Sequence, residues 1–159
     1  MNTKKNEHFM QEAVNAAVQG MNNNEGGPFG CVVVKDGKII GRGNNKVTST
    51  NDPTAHAEVT AIREACKHLN SYQLDGCDIF TSCEPCPMCL GAIYWARPDK
   101  VYYGSNQIDA AQIGFDDEFI YKEIPLPYSD RSIPFEQLGR DIAMKAFQLW
   151  DEKEDKTEY

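Results

Sequence analysis

Two short segments of the chain carry side chains that bind metals and move protons. His56-Ala57-Glu58 sets an imidazole and a carboxylate two residues apart, and Cys83-Glu84-Pro85-Cys86-Pro87-Met88-Cys89 supplies three thiols. Cys86 and Cys89 have the Cys-x-x-Cys spacing that lets two sulfurs reach one ion from the first turn of a helix. A helix N-terminus lowers thiol pKa values and favours the thiolate that a metal needs. His56 offers a third ligand. A catalytic zinc takes three protein ligands and keeps a fourth position for water, whereas four ligands make a closed, structural site. Cys83 lies three residues before Cys86, so spacing alone also permits a closed site, a structural zinc module for protein interaction. Glu58 would then have no task. In the three-ligand arrangement, Glu58 stands where a carboxylate can take a proton from activated water and pass it on.

Both segments need rigid elements to bring them together. Thr54 is expected to cap a helix over 55–69, with Val59, Ile62, Cys66 and Leu69 on its apolar face, so that His56 and Glu58 fall in its first turn. A strand over 77–82 leads into the turn at 83–85, and a second helix is expected over 86–96. Upstream, 6–21 has helical apolar spacing, and a Gly/Asn/Pro loop follows that holds Phe29. The β-branched run 31–35 and the run 38–43 flank Asp36-Gly37, a hairpin signal. A last strand is expected over 100–104 and a last helix over 137–150. Strands alternating with helices after a hairpin indicate an α/β domain, with helices on both faces of a sheet, an antiparallel first pair and parallel later strands.

With 159 residues, of which 41% are hydrophobic, the chain fits a single domain over 1–159. No apolar run approaches the roughly 20 residues of a membrane span. The polar stretch 1–12 lacks the apolar centre of a signal peptide, so a cytoplasmic protein that does not engage membranes is expected. A net charge of −8 with scattered basic residues argues against a nucleic-acid partner and leaves small ligands open. The six cysteines fit reduced thiols with a metal role better than a disulfide framework.

His-x-Glu followed by Pro-Cys-x-x-Cys is the signature of zinc nucleobase deaminases. On these residues the chain resembles the cytidine deaminase-like superfamily over most of 6–125. That resemblance implies a three-layer α/β/α sandwich with a mixed five-stranded sheet. It also implies one Zn2+ held by His56, Cys86 and Cys89, with Glu58 shuttling protons. Backbone amides near Ala57 and Cys86 would help hold the substrate. Transfer-RNA adenosine deaminases share these motifs but carry a basic surface. Cytidine deaminases have Cys where this chain has His56, and riboflavin-pathway deaminases carry a fused reductase.

Further stretches are similar to the bacterial guanine deaminases: Gly26-Gly27-Pro28-Phe29-Gly30, Thr54-Ala55-His56-Ala57-Glu58, Ile93-Tyr94-Trp95-Ala96-Arg97-Pro98, Gly114-Phe115-Asp116-Asp117 and the final Tyr159. This likeness implies that guanine becomes xanthine and ammonia. Asn45 and Asp117 would read the purine edge, Phe29 and Trp95 would flank the base, and Tyr159 would close the pocket. It further implies a homodimer in which the C-terminal helix and tail, residues 137–159, cross to the neighbouring subunit.

Overall fold

Asp36 and Gly37 take φ values of 50° and 75°, the two left-handed positions of a tight hairpin turn. They join strands β1 (Gly30–Lys35) and β2 (Lys38–Asn44). In the computed structural model, which describes residues 3–159, a long helix α1 (Thr3–Asn22) precedes this hairpin and a one-turn helix α2 (Val47–Thr50) comes after it. Then come α3 (Ala57–Leu69), β3 (Cys77–Cys83), α4 (Pro87–Ala96), β4 (Lys100–Ser105) and a short α5 (Gln107–Gln112).

The strand order is β2-β1-β3-β4. β1 runs antiparallel to both β2 and β3, and β3 pairs in parallel with β4. Side chains alternate across the sheet and build two cores. Val32, Val34 and Phe80 pack with Phe9 and Ala13 of α1. Cys31, Val33 and Ile79 pack on the opposite face with Ala57, Ala61 and Ala65 of α3 and Ile93 and Ala96 of α4. These are the three layers the sequence predicts.

The sheet has four strands among the described residues, not the expected five. The chain after β4 turns at once into α5. Beyond α5, Pro125, Pro127 and Pro134 interrupt the backbone, and a ladder there would lose its N–H donors. β4 is therefore an edge strand.

The start of α3 is pressed against the sheet by small residues. A Cβ placed on Gly43 would stand 2.1 Å from the Ala57 carbonyl oxygen and 2.6 Å from the Ala61 nitrogen. Only glycine lets β2 and α3 approach this closely, and the contact sets the depth of His56 and Glu58.

The chain divides into two compact units, the first ending at Asp117 and the second running from Glu118 to Tyr159. The second holds α6 (Glu118–Glu123), a 3-10 turn (Tyr128–Asp130) and α7 (Arg140–Glu152). Arg131 organises its middle, donating to the carbonyls of Leu126 and Ile124 and lying over the stacked rings of Tyr128 and Phe135. None of its residues is buried, and Ile142, Phe147, Leu149 and Trp150 of α7 are exposed. No helix among the described residues is long and apolar enough to cross a membrane.

Candidate metal centre

Helices α3 and α4 begin at the same place. His56 is the N-cap of α3 and Cys86 the N-cap of α4, both in extended backbone, and Pro87 opens α4 at N1. Thr54 is not the cap. Asp52 Oδ1 accepts from its backbone N–H and its hydroxyl, at 2.8 and 2.7 Å, and holds it in a turn before the helix. The helix therefore starts two residues later than expected, with Glu58 in its first turn.

His56 Nδ1 lies 3.5 Å from Cys86 Sγ and 3.5 Å from Cys89 Sγ. The ligand atoms of these three residues all fall within 4.8 Å of one another. Zinc bonds of about 2.0–2.1 Å to nitrogen and 2.3 Å to sulfur, opened at the tetrahedral angle, place nitrogen and sulfur about 3.5 Å apart. The donor set fits zinc in type, number and spacing. Cys83 is not in the cluster; its thiol points to the Asn106 carbonyl at 3.7 Å. The three-ligand arrangement is the one the fold presents, which leaves a ligand position for water.

The electrostatics favour a cation. A hydrogen bond from Cys89 pulls the Cys86 thiol down to about 4 against the effect of burial, with His56 helping. Cys89 moves the other way, because it donates to Cys86 and is itself buried. The two thiols are thus pushed in opposite directions by one shared hydrogen bond, and a bound cation would favour the thiolate of both. His56 is raised above its ordinary value, chiefly by its bond to Cys86, with Glu58 and Asp117 adding negative charge.

Glu58 is 6% exposed. Burial lifts its carboxyl above the usual range, against the pull of its own backbone N–H, Thr81 and Cys89. Its Oε1 accepts from the Thr81 hydroxyl at 3.0 Å. Sequence reasoning passed over Thr81. The signal was there: it is a polar residue in the inward alternation Ile79, Thr81, Cys83 of a strand with a buried face.

Asn45 is buried, and its Oδ1 accepts from the backbone N–H groups of Gly27 and Val47, both at 3.2 Å. These two bonds fix the orientation of the amide through its oxygen. A Cβ on Gly26 would fall 2.2 Å from that Oδ1, so glycine is required for the loop to wrap it. Phe29 meets Phe115 edge to face, with centroids 4.9 Å apart at 89°. Ala57 stands at N1 of α3, where a backbone N–H has no partner inside the helix. Asp117 Oδ1 accepts from Gln107 Nε2 at 2.8 Å, while the Gln107 backbone N–H donates to Glu84 at 3.1 Å. Gln107 is thus a second side chain not anticipated from sequence. Trp95 lies on α4 beyond Cys89 and is 66% exposed; Tyr159 ends the second unit and is exposed as well. A cavity of about 340 Å³ is lined by Phe29 together with residues such as Val14, Val18, Pro28, Cys83 and Ile113, and by none of the metal cluster.

The zinc-binding region of cytidine and deoxycytidylate deaminases matches residues 3–105. A guanine deaminase from Bacillus subtilis is 59% identical over 153 residues, 96% of this chain and 98% of that protein. An X-ray structure of a guanine deaminase from the same organism superposes with a TM-score of 0.94 at 58% identity, covering 100% of this chain and 99% of that one. A tRNA-specific adenosine deaminase from Aquifex aeolicus is 40% identical over 62% of this chain and 65% of its own length.

Proposed function

Because the chain belongs to the cytidine and deoxycytidylate deaminase zinc-binding family, we propose that it hydrolyses guanine to xanthine and ammonia, with one zinc ion per subunit. The observation that carries this reading is the 59% identity to a guanine deaminase, sustained over 96% of the chain rather than the metal motifs alone. The net charge of −8 and the shorter reach of the tRNA-deaminase match weigh against a transfer-RNA substrate.

When bound, zinc supplies a Lewis acid that makes water reactive near neutral pH. The chain does the rest. Glu58 takes a proton from the attacking water as the oxygen adds to C2 of guanine, and delivers it to the ring nitrogen N3. Glu58 then moves the remaining proton of the new C2 hydroxyl to the exocyclic amine; the C2–amine bond breaks as the C2 carbonyl forms, and ammonia leaves, so that guanine and water become xanthine and ammonia. Asp117 accepts from the N1–H and the 2-amine, the donors that distinguish guanine from adenine. Asn45 turns its NH2 toward an acceptor on the same purine. Phe29 and Trp95 offer flat apolar faces to the ring, and the first-turn N–H of Ala57 stands ready to donate.

The C-terminal helix and tail complete the enzyme in this reading. An amphipathic helix whose apolar face is bare needs a surface to cover it. We place that surface on a second copy, in a homodimer that exchanges residues 137–159 and brings Tyr159 over the partner's site. The setting is cytoplasmic purine catabolism. Incubating the zinc-loaded protein with guanine should convert its ultraviolet spectrum to that of xanthine; a spectrum that stays unchanged contradicts the assignment.

A further inference from the structure

The geometry points to Thr81 as a positioning residue for the proton carrier: its hydroxyl, donated from the sheet, holds the Glu58 carboxyl in one orientation. The inference rests on the deaminase reading above and deepens it. Thr81 lies in the middle of β3, opposite Cys31 in one ladder and Tyr103 in the other, and is 1% exposed. Its hydroxyl donates to Glu58 Oε1 at 3.0 Å, across 23 residues of sequence and from strand to helix.

A terminal carboxyl torsion is broad and nearly two-fold, so an unanchored Glu can present either oxygen. A general base that receives and returns a proton in each turnover needs the same oxygen facing the reactants both times. The Thr81 hydroxyl can donate to Oε1 whether the carboxyl is ionised or protonated at Oε2, because the neutral acid keeps an acceptor at Oε1. The strand fixes the donor as rigidly as the helix fixes the acceptor, and neither group touches the substrate through this bond.

The test is a pair of variants, Thr81→Val and Thr81→Ser, studied as zinc-loaded proteins. Valine matches threonine in shape and removes the hydroxyl; serine keeps the hydroxyl and removes the methyl. Thr81→Val should lower kcat for guanine by about 10- to 100-fold through misorientation, with KM changed by less than about twofold and zinc content unchanged. Thr81→Ser should recover most of that loss. In a Glu58→Gln background, Thr81→Val should cost nothing more, since coupled residues are not additive. Crystal structures supply a readout independent of turnover, with the Glu58 carboxyl in one orientation in wild type and Thr81→Ser and displaced in Thr81→Val. A Thr81→Val enzyme with unchanged kcat, loss of zinc in that variant, equal losses in both variants, or an unmoved Glu58 carboxyl overturns the inference. Absence of xanthine formation by the wild type sinks the deaminase reading instead, while the orientation of Glu58 in the two variants still decides for or against Thr81.

Discussion

Up to Asp117 the chain buries apolar side chains against both faces of a sheet; from Glu118 to the end it buries none. Likeness to known proteins divides in a related way. The family region ends at residue 105 and the tRNA adenosine deaminase aligns over 62% of the chain, whereas the guanine deaminase aligns over 96%. The first unit therefore holds the stretch that the family model matches, with the metal cluster and Glu58, on a scaffold with its own core. The guanine deaminase match extends into the second, whose α7 exposes Ile142, Phe147, Leu149 and Trp150. In our reading, deamination chemistry belongs to the first unit. Completing the pocket around one particular base falls, in our reading, to residues at its edge and in the second.

That division can be broken or sharpened by experiment. Removing zinc with a chelator should abolish turnover, and adding zinc back should restore it, with metal content followed in parallel; activity in metal-free protein would break the account of the first unit. Glu58→Gln should lower kcat by about 10²- to 10⁴-fold, the range for a positioned acid–base group, with zinc retained. Asp117→Ala, at the boundary, should reduce kcat/KM for guanine by about 10²-fold, because a purine donor loses its acceptor. It should leave zinc stoichiometry intact.

The second unit is tested by mixing. A protein truncated before Tyr159 should lose most activity while its first unit stays folded. Refolding that protein together with Glu58→Gln should regain activity, since one heterodimer site would combine an intact Glu58 with an intact partner tail. No recovery would mean that the tail acts within its own subunit. Smallest in its effect on chemistry is Gly43→Ala, whose added methyl meets the Ala57 carbonyl at 2.1 Å. It should lower stability by about 1–3 kcal/mol in urea unfolding, as overpacking does.

The first unit was largely legible because its signals are local. Asp36-Gly37 announced the hairpin, and the apolar periods of α1 and α3 announced their faces. The cluster of His56, Cys86 and Cys89 followed from two helix starts and one spacing rule. The features that escaped depend on contacts distant in sequence or on competition between neighbours. Asp52 competes for Thr54 and delays α3, which no propensity predicts. Thr81 meets Glu58, and Gln107 meets Asp117, through bonds that exist only once strands and helices are placed. The fifth strand was an expectation carried by resemblance, and the prolines after β4 and its early turn into α5 overrode it.

The most direct measurement is ammonia release by the zinc-loaded protein from guanine, adenine, cytosine, their nucleosides and transfer RNA under one set of conditions. The account predicts that guanine stands above every other substrate by about 10²-fold or more in kcat/KM, the discrimination that buried polar groups supply when their partners are missing. Equal release from all bases, or faster release from transfer-RNA adenosine than from guanine, would contradict it.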